Sequence, residues 1–291
     1  MPVAELIHYL NRENRKTYGP EVCPGDALAM APAGVVAQHG GLLLRSVFQP
    51  LFSVRGRQVV GHEALLRAES ADGEALTASD VFAQAASPQT LVFLDRLCRT
   101  LHALNYLQQA KGGGGLLFLN VEPRHVRAVG SGHGLVFETI LKRCGLSPER
   151  IVFELRAGEL AGDPAPLADA LAAYRARGYR IAIDQAGPDL GGDLLAALRP
   201  ELVKFDVRRL ERWRGATPAA TVAAEAAARA RAAGAEVVAT HVAAARQLAL
   251  ARAFAADFLQ GHHFAPPAPL LRDDAGTPLA LDAVTLAAIR E

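Results

Sequence analysis

From about residue 42 onward the chain is a succession of short apolar runs, most of them followed by helical segments, and the runs end on polar side chains. The residues at these ends are Glu63, Asn120, Glu154, Asp184, Lys204, Thr240 and Gln260. Strands that alternate with helices without a break argue for a parallel sheet with helical crossovers. Strands buried between helices have no use for a carboxylate within the sheet, but can carry one at the carboxyl end, where a β/α barrel opens its site. One or two polar ends would only mark where loops begin. Three acids, an amide and a lysine at corresponding ends mark a shared pocket. The number of strand units is near eight, so a TIM-like (β/α)8 barrel is expected rather than an open sheet.

Local signals place the elements. Leu42–Leu44 and Val47-Phe48 read as strand, and Arg55-Gly56-Arg57 as a turn into Gln58-Val59-Val60, whose strand would end at Glu63. Residues 79–109 read as one or two helices with Ser79 or Asp80 as N-cap. Gly112–Gly115 is a loop into Leu116–Asn120, and Ser147-Pro148 turns into Ile151–Glu154. Asp163-Pro164 opens a helix through Arg177, closed by Gly178. Thr217-Pro218 opens an alanine-rich helix that stops near Gly234. Residues 1–41 form an N-terminal extension, poorly defined and too short for a second domain of ordinary size. It holds a short helix over Glu5–Leu10, because Gly19-Pro20, Cys23-Pro24-Gly25 and Ala31-Pro32 break anything longer.

Composition excludes several classes. An apolar fraction of 51% supplies a sizeable core, and a formal net charge of +1 makes no electrostatic case for nucleic acid or an acidic membrane surface. No apolar run approaches a membrane span, and Met1–Glu5 lacks the order of a signal peptide. Cys23, Cys98 and Cys144 are odd in number and far apart, matching neither a disulfide framework nor a zinc pattern. A cytoplasmic location is expected.

Glu63, Asn120, Glu154 and Asp184 are four oxygen donors. Hard oxygen ligands suit Mg²⁺, Mn²⁺ or Ca²⁺, and the set offers none of the Cys/His chemistry zinc prefers. Lys204 could hold a phosphate or assist a water. A two-metal hydrolase would need a second set of carboxylates, so the cluster implies a cation and a phosphate without implying hydrolysis.

In order along the chain stand Gln49-Pro50, Glu63-Ala64-Leu65 with Arg67, Asn120, Glu154, Asp184, Lys204-Phe205-Asp206 and Gln260-Gly261 with Phe264. From about Ser46 to Pro267 this resembles the EAL domain, the module that hydrolyses or binds the bacterial second messenger cyclic di-GMP. The resemblance implies an EAL domain over 42–291, with Glu63, Asn120, Glu154 and Asp184 as metal ligands and Lys204 beside the attacking water if the domain is active. It implies that Gln49, Leu65, Arg67, Gln260 and Pro267 face the dinucleotide.

The departures from that pattern cluster. The family's Asp-Asp-Phe-Gly-Thr-Gly reads Asp184-Gln185-Ala186-Gly187-Pro188-Asp189, and its Ala-Glu-Gly-Val-Glu reads Ala239-Thr240-His241-Val242-Ala243. Its Glu-x-Thr-Glu reads Glu154-Leu155-Arg156-Ala157. Acids are thus lost at Gln185, Thr240 and Ala243 and at Ala157, while the first-metal ligands survive. A degenerate domain with little or no hydrolysis is expected, acting as a cyclic di-GMP receptor. The alternatives are a protein-interaction scaffold with an unidentified partner and a weak metal-dependent phosphodiesterase. Binding requires no cofactor, and Mg²⁺ or Mn²⁺ are the candidates for a residual site. The altered Ala186–Leu195 loop puts the family's usual dimer in doubt.

Other features carry less. His241 is a candidate base or ligand, but a loop histidine without a role is the plainer reading. Leu190-Gly191-Gly192-Asp193-Leu194 resembles part of a diguanylate cyclase signature but lacks its glutamate. Gly130–Gly134 lacks the Lys-Ser/Thr of a P-loop. His262-His263 has no third donor spaced to join it, and Arg208–Arg214, with Trp213, reads as solvated helix surface.

Overall fold

The computed structural model describes residues 2–110, 115–128, 135–160 and 164–272. The Gly112–Gly114 loop, the Gly130–Gly134 stretch, Asp163, residues 273–291 and the side chain of Cys144 lie outside the described residues. The chain opens with helix α1 (Val3–Val22), strands β1 (Leu28–Ala31) and β2 (Gly34–His39), and two long strands β3 (Leu42–Ser53) and β4 (Val59–Glu69). A short strand β5 (Ala75–Leu76) precedes helices α2 (Ala78–Ala83) and α3 (Pro88–Gln109). Then come β6 (Leu116–Asn120), α4 (Pro123–Ala128), α5 (Leu135–Cys144), β7 (Ile151–Arg156), α6 (Ala165–Arg175), β8 (Arg180–Ala186), α7 (Gly192–Leu198) and β9 (Leu202–Asp206). Helices α8 (Val207–Glu211) and α9 (Ala219–Ala232), strand β10 (Glu236–Thr240), helix α10 (Ala245–Ala253) and strand β11 (Phe258–Leu259) complete it.

Eight strands close into a barrel in the order β3, β11, β10, β9, β8, β7, β6, β4, with β4 pairing back onto β3. This is the expected TIM-like α/β barrel, with one difference. Strand β3 runs antiparallel to both of its neighbours, so the sheet is not wholly parallel. The reason is local: a tight turn at Arg55–Arg57 joins β3 to β4, and a hairpin can only be antiparallel, since a parallel crossover needs a dozen or more residues.

A second correction concerns Glu63, which does not end its strand. Strand β4 continues to Glu69 because β3 accompanies it from Phe52 to Leu43, and β5 covers its end. What stops near Glu63 is the parallel pairing with β6, which runs from Gly61 to Ala64. Beyond it the β3–β4 hairpin rises past the barrel rim as an arm. Gly61 is fixed by that pairing, since a Cβ there would lie 2.4 Å from the Leu116 carbonyl oxygen.

The barrel interior is a small apolar cluster of Leu51, Phe118, Val152, Ala182, Leu202 and Val238, all buried. Successive side chains on a strand alternate faces, so the residue two positions on points the same way. That rule carries Phe118 to Asn120, Val152 to Glu154, Ala182 to Asp184, Leu202 to Lys204, Val238 to Thr240 and the partly buried Phe258 to Gln260. The polar residues form one layer on top of the apolar plug. A larger core lies between the barrel wall and the helices.

The N-terminal segment is better organised than expected. Helix α1 continues through Tyr18 and kinks at Gly19, whose φ of 72° admits Pro20 in the following turn. Ala31-Pro32 sits at the tip of the β1–β2 hairpin, and β2 pairs with β3. Leu6, Ile7 and Leu10 of α1 pack with Leu94, Leu97 and Leu101 of α3 in a separate core. The N-cap of α2 is Thr77, not Ser79 or Asp80; Asp80 is the returning partner of its capping box. Gly178 and Gly234 follow α6 and α9 with φ of 93° and 88°, as the sequence predicts.

Candidate functional site

The polar layer converges on Lys204. Its ammonium is fully buried and donates to Glu63 Oε2 at 2.6 Å and to Glu154 Oε1 at 2.5 Å, with Asp184 Oδ1 at 3.9 Å. Gln260 donates to the same Glu63 Oε2 at 2.8 Å, and Asn120 to Glu63 Oε1 at 3.3 Å. The second oxygen of Glu154, buried, has no hydrogen-bond partner among the described residues.

Three carboxylates share one ammonium, and their acidities separate accordingly. Burial works against the charge of Glu63, but Lys204 with its hydrogen bond outweighs it and holds that carboxyl below the usual range. Burial and the negative charge of Glu63 push Glu154 well above it. Burial raises Asp184 as well. Lys204 is desolvated, yet Glu154, Glu63 and Asp184 together keep its pKa above that of an ordinary lysine.

The donors are hard oxygens, and their excess of negative charge and the unpartnered Glu154 oxygen suit one small divalent cation. As the side chains stand, no three of His, Cys, Asp and Glu converge at metal-holding spacing among the described residues. Lys204 stands between the carboxylates, so a cation held by Glu63, Asn120, Glu154 and Asp184 would have to share or displace its contacts.

Above this layer opens a cavity of about 1010 Å³. Gln49, Leu65, Arg67, Gln260 and Pro267 all line it, together with Glu63, Asn120 and Asp184. Leu65 and Arg67 follow Glu63 at alternate positions on the β4 arm, which is why one strand supplies both an acid and a cation to the same opening. Arg67 is exposed and its guanidinium donates only to the Leu66 carbonyl oxygen among the contacts described. Gln49 Nε2 donates to the Ala265 carbonyl oxygen at 3.0 Å, tying β3 to the segment before Pro267.

Gln185 and Thr240 also line the cavity, whereas Ala243 does not; its amide instead donates to Gln247 Oε1. Gln185 sits in an irregularity of the β8–β9 pairing with φ of 55°, and Arg209 donates to its carbonyl oxygen at 2.6 Å. His241 has φ of 61°, lies 3.6 Å from Asp206 Oδ1, and lines the cavity. Burial lowers its pKa against the opposing pull of Asp206. Its place is that of the glycine in the resembled pattern, which the left-handed backbone explains. Of the histidine pair, His262 lines the cavity.

Sequence reasoning missed the α3 side of the cavity, where Cys98 and His102 stand. A signal existed: Asp95, Arg99, His102 and Asn105 recur at helical spacing on α3, and all are buried. The Arg208–Arg214 stretch is largely self-satisfied. Arg208 forks onto Asp206, and Trp213 Nε1 donates to the Thr217 carbonyl oxygen.

The model of the EAL domain family matches residues 37–267. This chain belongs to the EAL domain family. Over 170 residues it is 31% identical to the EAL-domain containing protein YkuI of Bacillus subtilis (strain 168), a match covering 56% of this chain and 40% of that relative. The chain therefore matches less than half the length of that relative. The crystal structure of B. subtilis YkuI in complex with substrate c-di-GMP and calcium superposes with a TM-score of 0.70 at 25% identity, covering 84% of this chain and 61% of that one. Klebsiella pneumoniae BlrP1, in a manganese/cy-diGMP complex, gives 0.66 at 20% identity, over 91% of this chain and 66% of that one, and shares the fold. No helix among the described residues of this EAL protein is long and apolar enough to cross a membrane.

Proposed function

We propose that this EAL protein is a cyclic di-GMP receptor with little or no hydrolytic activity, built as a degenerate EAL domain over residues 42–291 with residues 1–41 as an extension packed on it. The observation that carries the reading is the continuous cavity that joins Gln49, Leu65, Arg67 and Pro267 to the acid layer. At about 1010 Å³ it has the size for a dinucleotide rather than a single small metabolite. Arg67 would pair with a ligand phosphate or base edge, the strongest kind of hydrogen bond available at this rim.

Inactivity is supported by what replaces the family's acids. Gln185, Thr240, Ala243 and Ala157 are neutral, so a second cation would lack anionic ligands. The first-metal set remains, and a cation there would polarise a phosphodiester oxygen. Lys204, which would sit beside an attacking water, is engaged by Glu63 and Glu154. Losing groups that act together in a transition state costs orders of magnitude in rate.

The test is calorimetric titration with cyclic di-GMP, with and without Mn²⁺ or Mg²⁺, followed by chromatography of the recovered nucleotide. Micromolar or tighter binding with intact nucleotide is expected. Absence of heat in every condition would leave the interaction-scaffold alternative, and linear dinucleotide formed at an enzymatic rate would make the protein a phosphodiesterase.

A further inference from the structure

The cavity does not stop at the barrel mouth. Past Arg67 it continues between the β4–β5 edge, α2 and α3, with walls formed by Leu66, Leu76, Phe82, Ala83 and Cys98. Thr77 and Ser79 also line this stretch, and His102, only 5% exposed, is the one ring with a titratable nitrogen pair between these mostly apolar walls.

The hydrogen bonds behind the ring place a hydroxyl against one of its nitrogens. Val35 N–H donates to Asn105 Oδ1 at 2.9 Å, and Asn105 Nδ2 donates to the Val35 carbonyl oxygen at 2.8 Å. Those two bonds orient the amide, because the backbone groups admit only one assignment. The same Nδ2 donates to the Leu101 carbonyl oxygen at 3.1 Å and reaches Ser46 Oγ at 3.4 Å, and Ser46 Oγ lies 2.8 Å from His102 Nδ1 with its own hydrogen available to that nitrogen. Burial lowers the His102 pKa to about 4, so the ring is neutral near neutrality. A neutral imidazole that accepts at Nδ1 carries its proton at Nε2. Among the described residues Nε2 has no hydrogen-bond partner. With Ser46 donating to Nδ1, the slot presents mostly apolar walls and a donor at His102 Nε2.

We infer that His102 is a specificity-determining hydrogen-bond donor for a planar ring bearing an acceptor, one nucleobase of the dinucleotide, seated in this slot. The inference rests on the receptor reading above and deepens it. Mostly apolar walls beside a buried ring donor suit a flat heterocycle better than a phosphate or sugar. The same chain of bonds continues from His102 through Ser46 and Asn105 to β2, so the ligand's contact is tied to the N-terminal hairpin. Asn11 of α1 holds the other strand of that hairpin through two bonds to the Leu28 backbone. Occupancy of the slot is therefore reported to residues 1–41, the part of the chain furthest from the acid layer in sequence.

The experiment compares the full chain with His102→Leu and His102→Gln by calorimetry with cyclic di-GMP, and follows amide hydrogen exchange over residues 34–39 with and without the nucleotide. Thermal melts establish that each variant is folded. Leucine should weaken binding by about tenfold or more. Glutamine keeps an amide donor and should restore most of the affinity. Val35 should become more protected on binding in the wild type and not in His102→Leu. Nitrogen NMR of the imidazole should show the proton on Nε2. Equal affinity of wild type and His102→Leu, or a proton on Nδ1, would overturn the inference while leaving the receptor reading intact. A wild-type chain that binds no nucleotide would overturn the receptor reading and this inference with it.

Discussion

The acid layer at the barrel mouth and the Asp95–Arg99–His125 group inside the helical layer are both buried, but their charges are balanced differently. Asp95 pairs with Arg99 on the same helix, accepts the Glu122 amide at 3.0 Å, and has His125 Nδ1 at 3.3 Å. Arg99 lies over the rings of Phe137 and Phe153. Although burial opposes its charge, Arg99 holds the Asp95 carboxyl below the usual range, so the pair stays ionised. One acid meets one cation in a sealed space, and the product is a clamp between α3 and the loop that follows Asn120. At the mouth three acids meet one cation beneath an open cavity, and two of them are pushed toward the neutral form. A balanced buried pair is explained by packing. An unbalanced one beside a cavity is held ready for a further charge.

The largest effect should come from breaking the balanced pair. Arg99→Met strips a buried carboxyl of the cation that holds it ionised, and should cost about 4 kcal/mol in chemical denaturation. Lys204→Met should cost less, about 3 kcal/mol near neutral pH, because Glu154 and Asp184 already tend toward protonation. Without the lysine, the folded-state pKa values of Glu154 and Asp184 rise further above their unfolded values, and Glu63 loses the cation that held it down. The folded state then binds more protons, so the variant should recover stability as pH falls through the raised values and lose it as pH climbs above them. Arg99→Met should recover less over the same range, because only one carboxyl is left to take up a proton there and His125 and the Glu122 amide still favour its ionised form. Equal pH profiles for the two variants would erase the distinction drawn here.

Smaller effects sharpen the functional side. Arg67→Ala removes an exposed guanidinium and should raise the cyclic di-GMP Kd about tenfold in calorimetry, with little change in melting temperature. His241→Gly should stabilise the fold by about 0.5–1 kcal/mol, since glycine accepts the left-handed backbone without strain. A loss of stability in that variant would mean that the contacts with Asp206 and Thr240 outweigh the strain.

The barrel and its polar layer were readable because both rest on period. Phe118 to Asn120 and Leu202 to Lys204 are steps of two along apolar runs, and any chain with that pattern has to place the second residue above the first. The β4 arm was not readable. Val59-Val60 announces a strand, but its continuation past Glu63 depends on β3 lying alongside, which is a long-range pairing. The N-terminal helix was read too short for a related reason. Gly19-Pro20 ends a helix locally, while Leu6, Ile7 and Leu10 extend it by packing on α3, a surface some eighty residues away. His102 went unnoticed because its neighbours in sequence are apolar and its partner, Ser46, belongs to strand β3, more than fifty residues earlier.

What the sequence determined by itself is the alternation of elements and the inward-pointing polar set, since these follow from side-chain chemistry and strand period alone; the reading of Gln185, Thr240 and Ala243 as lost acids came from the resemblance to the EAL pattern. The tertiary structure decided that Lys204 would stand among three carboxylates, that β3 would close the barrel in the reverse direction, and that Cys98 and His102 would line the same cavity as Glu63. Those outcomes require residues from distant positions to meet, and no local preference specifies which partners a buried charge will find.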